Sequence, residues 1–290
     1  MTVETPTEFL SRVEADAQRV ETETATGRVV WHLWGAGPTV LLLHGGAGSW
    51  RHWIRNIDAL SRHFRLVAPD LPGLGESELS QEPPNARAVA ASVLEGLDAV
   101  IGAGTPYHVV GFSFGGSVGG EIALLRPNDA LSLIIVGSSS LGLPRGQKRA
   151  LVRVRHLAGA ERRAAHFTNL SHQMIADTAK IDELAINILE FNASRSRLNT
   201  PMISKQNSLR DALGSLSLPI NAIYGDRDSS AYPYIQERVD LFRQLQPQAK
   251  VHLCPGAGHW VQYEAADAVN DILIETLSAI ETSCANGVNE

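Results

Sequence analysis

The sequence predicts a doubly wound α/β fold with an inserted helical cap, and three observations support this. Short runs rich in Val, Ile and Leu recur along the 290 residues and are separated by helical patterns. Several runs are apolar at consecutive positions, which is typical of strands covered on both faces in a mostly parallel sheet. Residues 138–216 contain no convincing strand and are helical in pattern. We therefore expect a core of residues 1–137 and 217–290 and a cap of residues 138–216.

The predicted elements alternate along the chain. Residues 1–27 alternate Glu, Thr and Ala, and they predict a surface helix or an extended arm. Turn residues or helical patterns separate seven predicted strands, which are Arg28–Trp34, Thr39–Leu43, Arg65–Ala68, Tyr107–Val110, Leu131–Val136, Ile220–Tyr224 and Lys250–Leu253. The intervening segments are long enough for crossover helices, for example Ala86–Ile101, Gly116–Leu125 and Glu264–Ile280.

Composition and charge narrow the class of protein. The hydrophobic fraction of 44% and the charged fraction of 19% are ordinary for a soluble globular enzyme. A net charge of −6 argues against bulk binding of nucleic acid. The N-terminus is acidic and polar, unlike a signal peptide, and no apolar run reaches the roughly 18–20 residues of a membrane helix. Cys254 and Cys284 predict two free thiols without metal-ligand spacing, so we expect a cytoplasmic protein that needs no metal or cofactor.

A nucleophile elbow is predicted at Gly111-Phe112-Ser113-Phe114-Gly115. This G-x-S-x-G pattern follows a predicted strand and opens a helical segment. The elbow holds the serine on a strained turn, where the residues two before and two after must be very small. It also places the hydroxyl at a helix N-terminus, which favours developing negative charge. Helix capping by Ser113 is the alternative interpretation.

The segment His44-Gly45-Gly46-Ala47-Gly48 follows the strand Thr39–Leu43. Glycines there let the backbone approach a ligand and direct N–H groups toward it. A tetrahedral intermediate needs two such donors. We assign them to the backbone amides of Gly46 and of Phe114, the residue after the serine. A plain strand-ending turn is the alternative, and His44 is interpreted as a structural, hydrogen-bonded histidine.

A serine nucleophile needs a base, and the base needs an orienting carboxylate. Of the ten histidines, His259 lies among glycines in a loop just after the last predicted strand. Asp226 and Asp228 follow the strand before it. Ser113, the aspartate pair and His259 thus all follow the C-terminal ends of strands, where open α/β sheets bind ligands. Spacing leaves the choice between the two aspartates open.

These motifs together resemble the α/β-hydrolase superfamily from about Arg28 to Ile280. The resemblance implies the chain order serine, aspartate, histidine. In similar G-D-x-D segments the second carboxylate serves the triad, so the resemblance favours Asp228. The residues that carry it are His44-Gly45-Gly46, Asp70-Leu71-Pro72-Gly73-Leu74-Gly75-Glu76-Ser77, the predicted elbow, Gly225-Asp226-Arg227-Asp228 and Gly258-His259-Trp260. The turn at Asp70–Ser77 supports the fold rather than the chemistry.

Within the superfamily, the segment Gly258–Glu264 is similar to the carbon–carbon bond hydrolases of aromatic ring-fission pathways, where a tryptophan follows the catalytic histidine. That group usually has asparagine just before the nucleophile, and here Phe112 stands there. It also uses a cap arginine on the substrate carboxylate, for which Arg195 and Arg197 are the nearby candidates. These departures favour an ester substrate over a diketone.

Four further residues are candidates for the substrate pocket. Gly45 and Phe112 flank the predicted site, and Trp50 and Trp260 supply large apolar surfaces. Core packing is the alternative for these tryptophans and for Trp53, because pockets and cores have the same composition.

The sequence therefore predicts a serine hydrolase that cleaves a small or medium carboxylic ester through an acyl-enzyme. Carbon–carbon hydrolysis of a vinylogous diketone and lactone hydrolysis are the alternatives among enzymes. A receptor that binds a small molecule without turnover is the alternative of another class. A small molecule is the expected partner in each case, and the sequence leaves open whether the chain forms a homo-oligomer.

Overall fold

One sheet of eight strands organises the chain in a computed structural model that describes residues 4–147, 149–203 and 207–287. The spatial order of the strands is β1-β2-β4-β3-β5-β6-β7-β8. Their bounds are Gln18–Thr24 (β1), Gly27–Trp34 (β2), Thr39–Leu43 (β3), Arg65–Pro69 (β4), Tyr107–Phe112 (β5), Ala130–Val136 (β6), Ile220–Gly225 (β7) and Lys250–Cys254 (β8).

The sheet is mostly parallel. All pairs among strands β3 to β8 are parallel, whereas β2 is antiparallel to both β1 and β4. The parallel connections are made by helices on both faces, so the predicted doubly wound class is confirmed. Because the strands run in parallel, the loops after β3, β5, β7 and β8 meet at one edge of the sheet.

The helices that connect and flank the strands are Pro6–Ala15 (α1), Ile57–Leu60 (α2), Ala86–Ile101 (α3), Phe114–Leu125 (α4), Gly159–Gln173 (α5), Glu183–Arg195 (α6), Thr200–Ile203 (α7), Ser208–Ser215 (α8), Ile235–Leu245 (α9), Val261–Glu264 (α10) and Ala266–Gly287 (α11). Two 3₁₀ helices lie at Trp50–Trp53 and Thr178–Lys180. No helix within the described ranges is both long and apolar enough to cross a membrane.

Burial on both faces explains the continuous apolar runs. In β3, Leu41 and Leu43 face the cluster beneath α3, α4, α8 and α9, whereas Val40 and Leu42 face the cluster beneath α1, α2 and α11. All four side chains are 0% exposed. A strand with this environment gains from apolar residues at every position, which is the pattern that indicated a parallel sheet.

Residues 4–26 contain the expected helix and, in addition, a strand that was not predicted. The helix is α1, and the additional strand is β1, which pairs with β2 from Gln18 opposite Leu33 to Thr24 opposite Gly27. Strand β1 has the sequence QRVETET and is half exposed, because it lies at the edge of the sheet. Polar residues are usual on such an edge, so the strand carries little apolar signal.

The interval after β6 contains helices α5 to α8 and no strand among its described residues. Helix α8 lies within the predicted cap, yet it packs on α4: a Cβ placed on Gly120 would lie 3.1 Å from a Leu209 methyl and 3.2 Å from Ala212. We therefore propose that the cap ends before α8, and not at residue 216 as the sequence suggested.

Leu209→Ala tests this assignment. Leu209 is 0% exposed within the core cluster, and loss of a buried leucine side chain typically lowers the free energy of unfolding by about 2–5 kcal/mol. Leu151→Ala is the control, because Leu151 is 50% exposed and should change stability by no more than about 0.5 kcal/mol. Urea unfolding followed by circular dichroism measures both. Equal, small effects would show that α8 does not belong to the core.

Candidate active site

Ser113 occupies a strained turn between β5 and α4. Its backbone has φ 52° and ψ −113°, a region that residues other than glycine rarely adopt. The two flanking glycines have no room for a side chain: a Cβ on Gly111 would lie 2.4 Å from the Gly115 carbonyl oxygen, and one on Gly115 would lie 2.4 Å from that of Leu43. The Ser113 side chain makes no capping hydrogen bond to α4. Helix capping is therefore not its role.

Three side chains from separate loops converge at this turn. The Ser113 hydroxyl oxygen lies 3.0 Å from His259 Nε2. On the other side of the ring, His259 Nδ1 lies 2.9 Å from Asp228 Oδ1 and 3.0 Å from Oδ2. A carboxylate only accepts hydrogen bonds, so Nδ1 carries the proton, and its N–H donates a hydrogen bond to Asp228. Nε2 of the neutral ring is then free to accept the proton of the Ser113 hydroxyl.

Asp228 is a buried carboxylate held in its ionised form. Burial raises the pKa of Asp228, but the charge and hydrogen bond of His259 and hydrogen bonds from Ser230 outweigh it, and the pKa falls below its usual value. The Ser230 amide donates to Asp228 Oδ1 at 2.7 Å. Asp226 has a different role: its Oδ1 accepts from the Gly256 amide at 2.7 Å and shapes the turn.

The two amides predicted to bind an oxyanion lie at the same edge of the sheet. Phe114 begins α4, so its amide has no acceptor within the helix. Gly46 lies in the loop after β3. Neither amide donates to another residue of the described chain. Both donors are thus available to a ligand, and the one at Phe114 also benefits from the helix dipole.

His44 is structural. Its Nδ1–H donates to the Gly45 carbonyl at 2.7 Å, and its Nε2 accepts from the Leu71 amide at 2.8 Å. Burial lowers the pKa of His44 to about 4, so the ring is neutral and both nitrogens are already engaged. It joins the loop after β3 to the loop after β4.

His52 is a residue that sequence reasoning missed. Its Nδ1 accepts from the Gly45 amide at 3.2 Å, and its carbonyl accepts from Trp260 Nε1 at 2.8 Å. Burial lowers the pKa of His52 well below its usual value. A Cβ on Gly48 would lie 2.3 Å from the ring. The imidazole therefore fixes the curvature of the glycine loop, and the backbone ties this loop to the segment that carries His259.

Phe112 lies beneath the converged side chains rather than beside an open pocket. Its ring centroid is 5.1 Å from that of His259 and 5.3 Å from that of His52, and the residue is 1% exposed. A Cβ on Gly45 would come within 2.9 Å of the Phe112 ring. Gly45 is therefore small because Phe112 fills the space below it. The predicted pocket role of these two residues is replaced by a packing role.

The tryptophans are also enclosed. Trp50 is 1% exposed and packs at 5.1 Å on the rings of both His32 and Trp34. Trp260 is 1% exposed and stacks on Tyr263 at 4.2 Å, and Trp53 is 0% exposed. A side chain enclosed in this way presents no surface to a ligand. The structure thus favours the core-packing alternative for all three.

The two candidate arginines for a carboxylate clamp have other contacts. Arg197 donates its amide to the Gly73 carbonyl at 2.8 Å, and its guanidinium donates to the carbonyls of Gly75 and Ser77. Arg195 is exposed and lies 3.9 Å over the Phe191 ring. Arg197 thus fastens the cap to the turn at residues 73–77 through its amide and Nη2, and the role of either arginine as a carboxylate clamp stays a prediction.

Glu264 joins the cap to the loop of His259 and was also missed. Its Oε2 accepts from the amides of Gly258 at 2.7 Å and of Ala176 at 3.0 Å, and its Oε1 accepts from that of Asp177 at 2.8 Å. The side chain is almost wholly buried. The one signal for Glu264 in the sequence is its place in the segment 258–264, which is similar to the carbon–carbon bond hydrolases. No local pattern reveals the amides that it binds. Glu264 holds the residue next to His259 against the cap.

The chain is similar in sequence to one described family and to several known proteins. A family model described as the alpha/beta hydrolase family matches residues 40–272. A relative 31% identical over 261 residues is the dihydrolipoyllysine-residue acetyltransferase component of the acetoin cleaving system of Pseudomonas putida. That alignment covers 85% of this chain and 65% of the relative, so the chain spans just under two thirds of that protein.

Two other relatives match over most of their length. One, 26% identical over 258 residues, is the 2-hydroxy-6-oxo-6-phenylhexa-2,4-dienoate hydrolase of Burkholderia cepacia, with 84% of this chain and 89% of that protein covered. Another, 29% identical over 249 residues, is the pimeloyl-[acyl-carrier protein] methyl ester esterase of Aeromonas hydrophila, with 79% and 93% covered. Among solved structures, a putative lipase from Acinetobacter baumannii AYE superposes with a TM-score of 0.75 at 21% identity, covering 98% of both chains.

The described residues contain no group of three or more His, Cys, Asp or Glu side chains that could hold a metal ion. The converged groups are instead a hydroxyl, an imidazole, a carboxylate and two free amides. Such a set can move a proton and stabilise a developing oxyanion.

Asp228→Asn and Asp226→Asn separate the two carboxylates. An asparagine at 228 would accept in place of the carboxylate only weakly and would favour the wrong tautomer of His259, so kcat for an aryl ester should fall roughly 10³- to 10⁴-fold. Asp226→Asn keeps an acceptor for the Gly256 amide and should cost less than about 10-fold. Steady-state kinetics of the two purified variants gives the ratio, and the opposite order would exchange their roles.

Glu264→Gln tests the tie between the cap and His259. Glutamine directs an NH₂ group at one of the three amide donors, which should displace the loop and lower kcat roughly 10- to 100-fold with little change in KM. An alkyl ester should lose more than an aryl ester, because its leaving group needs the proton that His259 supplies. Asp267→Asn, at an exposed carboxylate nearby, is the control. Equal losses for both esters would indicate a general loss of folded protein instead.

Proposed function

Since the chain belongs to the alpha/beta hydrolase family, we propose that it is a serine hydrolase that cleaves a small or medium carboxylic ester through an acyl-enzyme. The observation that carries the proposal is the continuous hydrogen-bonded line from Ser113 through His259 to Asp228. Each member follows a different strand, and Ser113 stands on a strained elbow. Such an arrangement is costly to maintain and is typical of catalytic groups.

Acylation begins when the Ser113 oxygen attacks the ester carbonyl carbon and His259 Nε2 takes the hydroxyl proton. The carbonyl electrons move to oxygen, and the amides of Gly46 and Phe114 donate hydrogen bonds to the oxyanion. Collapse of this intermediate breaks the bond to the alkoxy group, which receives the proton from His259. Water then repeats the sequence on the acyl-enzyme, which releases the acid and restores the Ser113 hydroxyl.

Asp228 makes the proton transfers feasible. When His259 takes the proton from Ser113, the ring becomes a cation next to a carboxylate that is 0% exposed. The attraction between the two charges is strong where water is excluded. Each oxyanion donor adds further stabilisation, since loss of one typically lowers kcat by about 10²- to 10³-fold.

An ester is favoured over a ring-fission diketone by two features. Phe112 stands where the carbon–carbon hydrolases usually have asparagine, so the polar group that this asparagine supplies next to the nucleophile is absent here. Arg197 Nη2 donates to the carbonyls of Gly75 and Ser77, which directs this guanidinium toward the turn and makes it a poorer clamp for the carboxylate of a dienoate. The relative from Aeromonas hydrophila is named as an esterase.

Carbon–carbon hydrolysis is the second candidate, and a lactone would be cleaved by the ester mechanism. Two observations favour the carbon–carbon reaction: Trp260 follows the histidine, and the relative from Burkholderia cepacia is named as a dienoate hydrolase. A receptor without turnover is disfavoured, because a binding module has no need of an assembled proton-transfer line. A cytoplasmic location is supported by the free thiols of Cys254 and Cys284.

A direct comparison of substrates tests the proposal. We expect kcat/KM for aryl and alkyl esters to exceed that for a 2-hydroxy-6-oxo-dienoate at the same pH, because a missing polar donor in a buried site typically costs about 2–4 kcal/mol in the transition state. Ser113→Ala is the control and should lower turnover about 10⁶-fold. A diketone preferred tenfold or more would reject the ester assignment. Retention of more than a few per cent of kcat by Ser113→Ala would reject the nucleophile.

A further inference from the structure

Thr200, in the cap, is a buried polar residue that lies against the glycine loop and that the mechanism above does not use. A Cβ built on Gly46 would lie 2.5 Å from the Thr200 hydroxyl oxygen. The hydroxyl therefore touches the residue whose amide is the proposed oxyanion donor. Thr200 is 4% exposed, so this contact is an enclosed one.

The hydroxyl of Thr200 makes no hydrogen bond to another described residue, yet its oxygen is not one of the fully enclosed side-chain atoms that lack a partner, so it keeps some accessible surface. The hydroxyl is thus available to a ligand that enters the space beside Gly46. A hydroxyl can rotate its proton toward an acceptor. Because it lies beside Gly46, the acceptor in its reach is a ligand atom that also approaches the Gly46 amide.

The segment that carries Thr200 is firmly anchored. Arg197 fastens it to the turn at residues 73–77, as described above. Leu198 and Ile203, on either side of Thr200, are buried in the core cluster. The Thr200 amide donates to the Leu198 carbonyl at 2.9 Å. A donor held in this way needs no reorganisation when charge develops, which is the condition for effective electrostatic catalysis.

The contact also gives a second reason for the glycine at position 46. Any side chain at this position would collide with Thr200. The pair thus permits the cap to approach the loop closely enough for its hydroxyl to reach the same space as the Gly46 amide. An apolar residue at position 200 would be enough to close a pocket. A hydroxyl next to a proposed oxyanion donor therefore indicates a role beyond closure.

We propose that Thr200 is a catalytic residue whose hydroxyl donates a third hydrogen bond, beside those of Gly46 and Phe114, to the substrate carbonyl oxygen as it becomes an oxyanion. This inference rests on the proposed serine hydrolase function. It makes the cap part of the catalytic apparatus, because the donor is absent until the segment 197–203 lies on the core.

Thr200→Val removes the hydroxyl and keeps the shape, whereas Thr200→Ser keeps the hydroxyl. With an aryl ester, Thr200→Val should lower kcat roughly 10- to 100-fold and leave KM within about threefold, because only the transition state carries the charge. Thr200→Ser should stay within about threefold of the parent for kcat. Thr168→Val is the matched control, since Thr168 is a cap threonine whose hydroxyl donates to the Ala164 carbonyl.

A second readout reports the oxyanion directly. A trifluoromethyl ketone adds to a serine nucleophile and forms a tetrahedral oxyanion, so its inhibition constant for Thr200→Val should rise by the same factor by which kcat/KM falls. Thr200→Ala serves as a second variant without the hydroxyl, and thermal melting establishes that each variant is folded.

The outcomes distinguish this proposal from the one on which it rests. Turnover by the parent protein with kcat of Thr200→Val within threefold of it would overturn the role of Thr200 and leave the serine hydrolase intact. Equal losses for Thr200→Val and Thr200→Ser would overturn it as well, because shape and not the hydroxyl would then matter. Absence of turnover and of ketone binding in the parent protein would overturn both.

Discussion

The position of the His259 ring is the constraint on which the rest of the structure depends. The ring must meet Ser113 on one side and Asp228 on the other, although these residues are 146 and 31 positions away in the chain. Strands β5 and β8, which precede Ser113 and His259, are three inter-strand spacings apart, or roughly 14 Å. The loop after β8 therefore has to lean back across the edge of the sheet to reach the elbow.

Several contacts hold that loop in its bent course. Gly256 adopts φ 72°, which turns the chain, and Gly258 leaves room for the cap backbone. The Trp260 amide donates to the Met174 carbonyl at 2.7 Å. Glu264 accepts hydrogen bonds from both the loop after β8 and the cap. The cap thus has a mechanical role as well as an enclosing one. We propose that the cap orients His259 through Glu264 and that it supplies a hydrogen-bond donor to the oxyanion through Thr200.

The sequence predicted the fold and the converging residues well, because each has a local signature. Apolar runs marked the buried strands, and the elbow, the glycine loop and the chain order of serine, aspartate and histidine marked the edge of the sheet. Strand β1 was not predicted, because a strand at the edge of a sheet needs few apolar residues. The pocket could not be predicted, since enclosure of Trp50 or Phe112 depends on contacts between distant segments. Glu264 and Thr200 act through partners that no local pattern reveals.

The most direct test of the central claim is covalent labelling by a fluorophosphonate, followed by intact-mass and peptide mass spectrometry. This reagent reacts much faster with a serine that a neighbouring base activates than with an ordinary hydroxyl. If Ser113 is the nucleophile that His259 activates, we expect one adduct per chain, located on the peptide that contains Ser113, with turnover lost in proportion to labelling. An adduct on another residue, or full turnover after labelling, would contradict it.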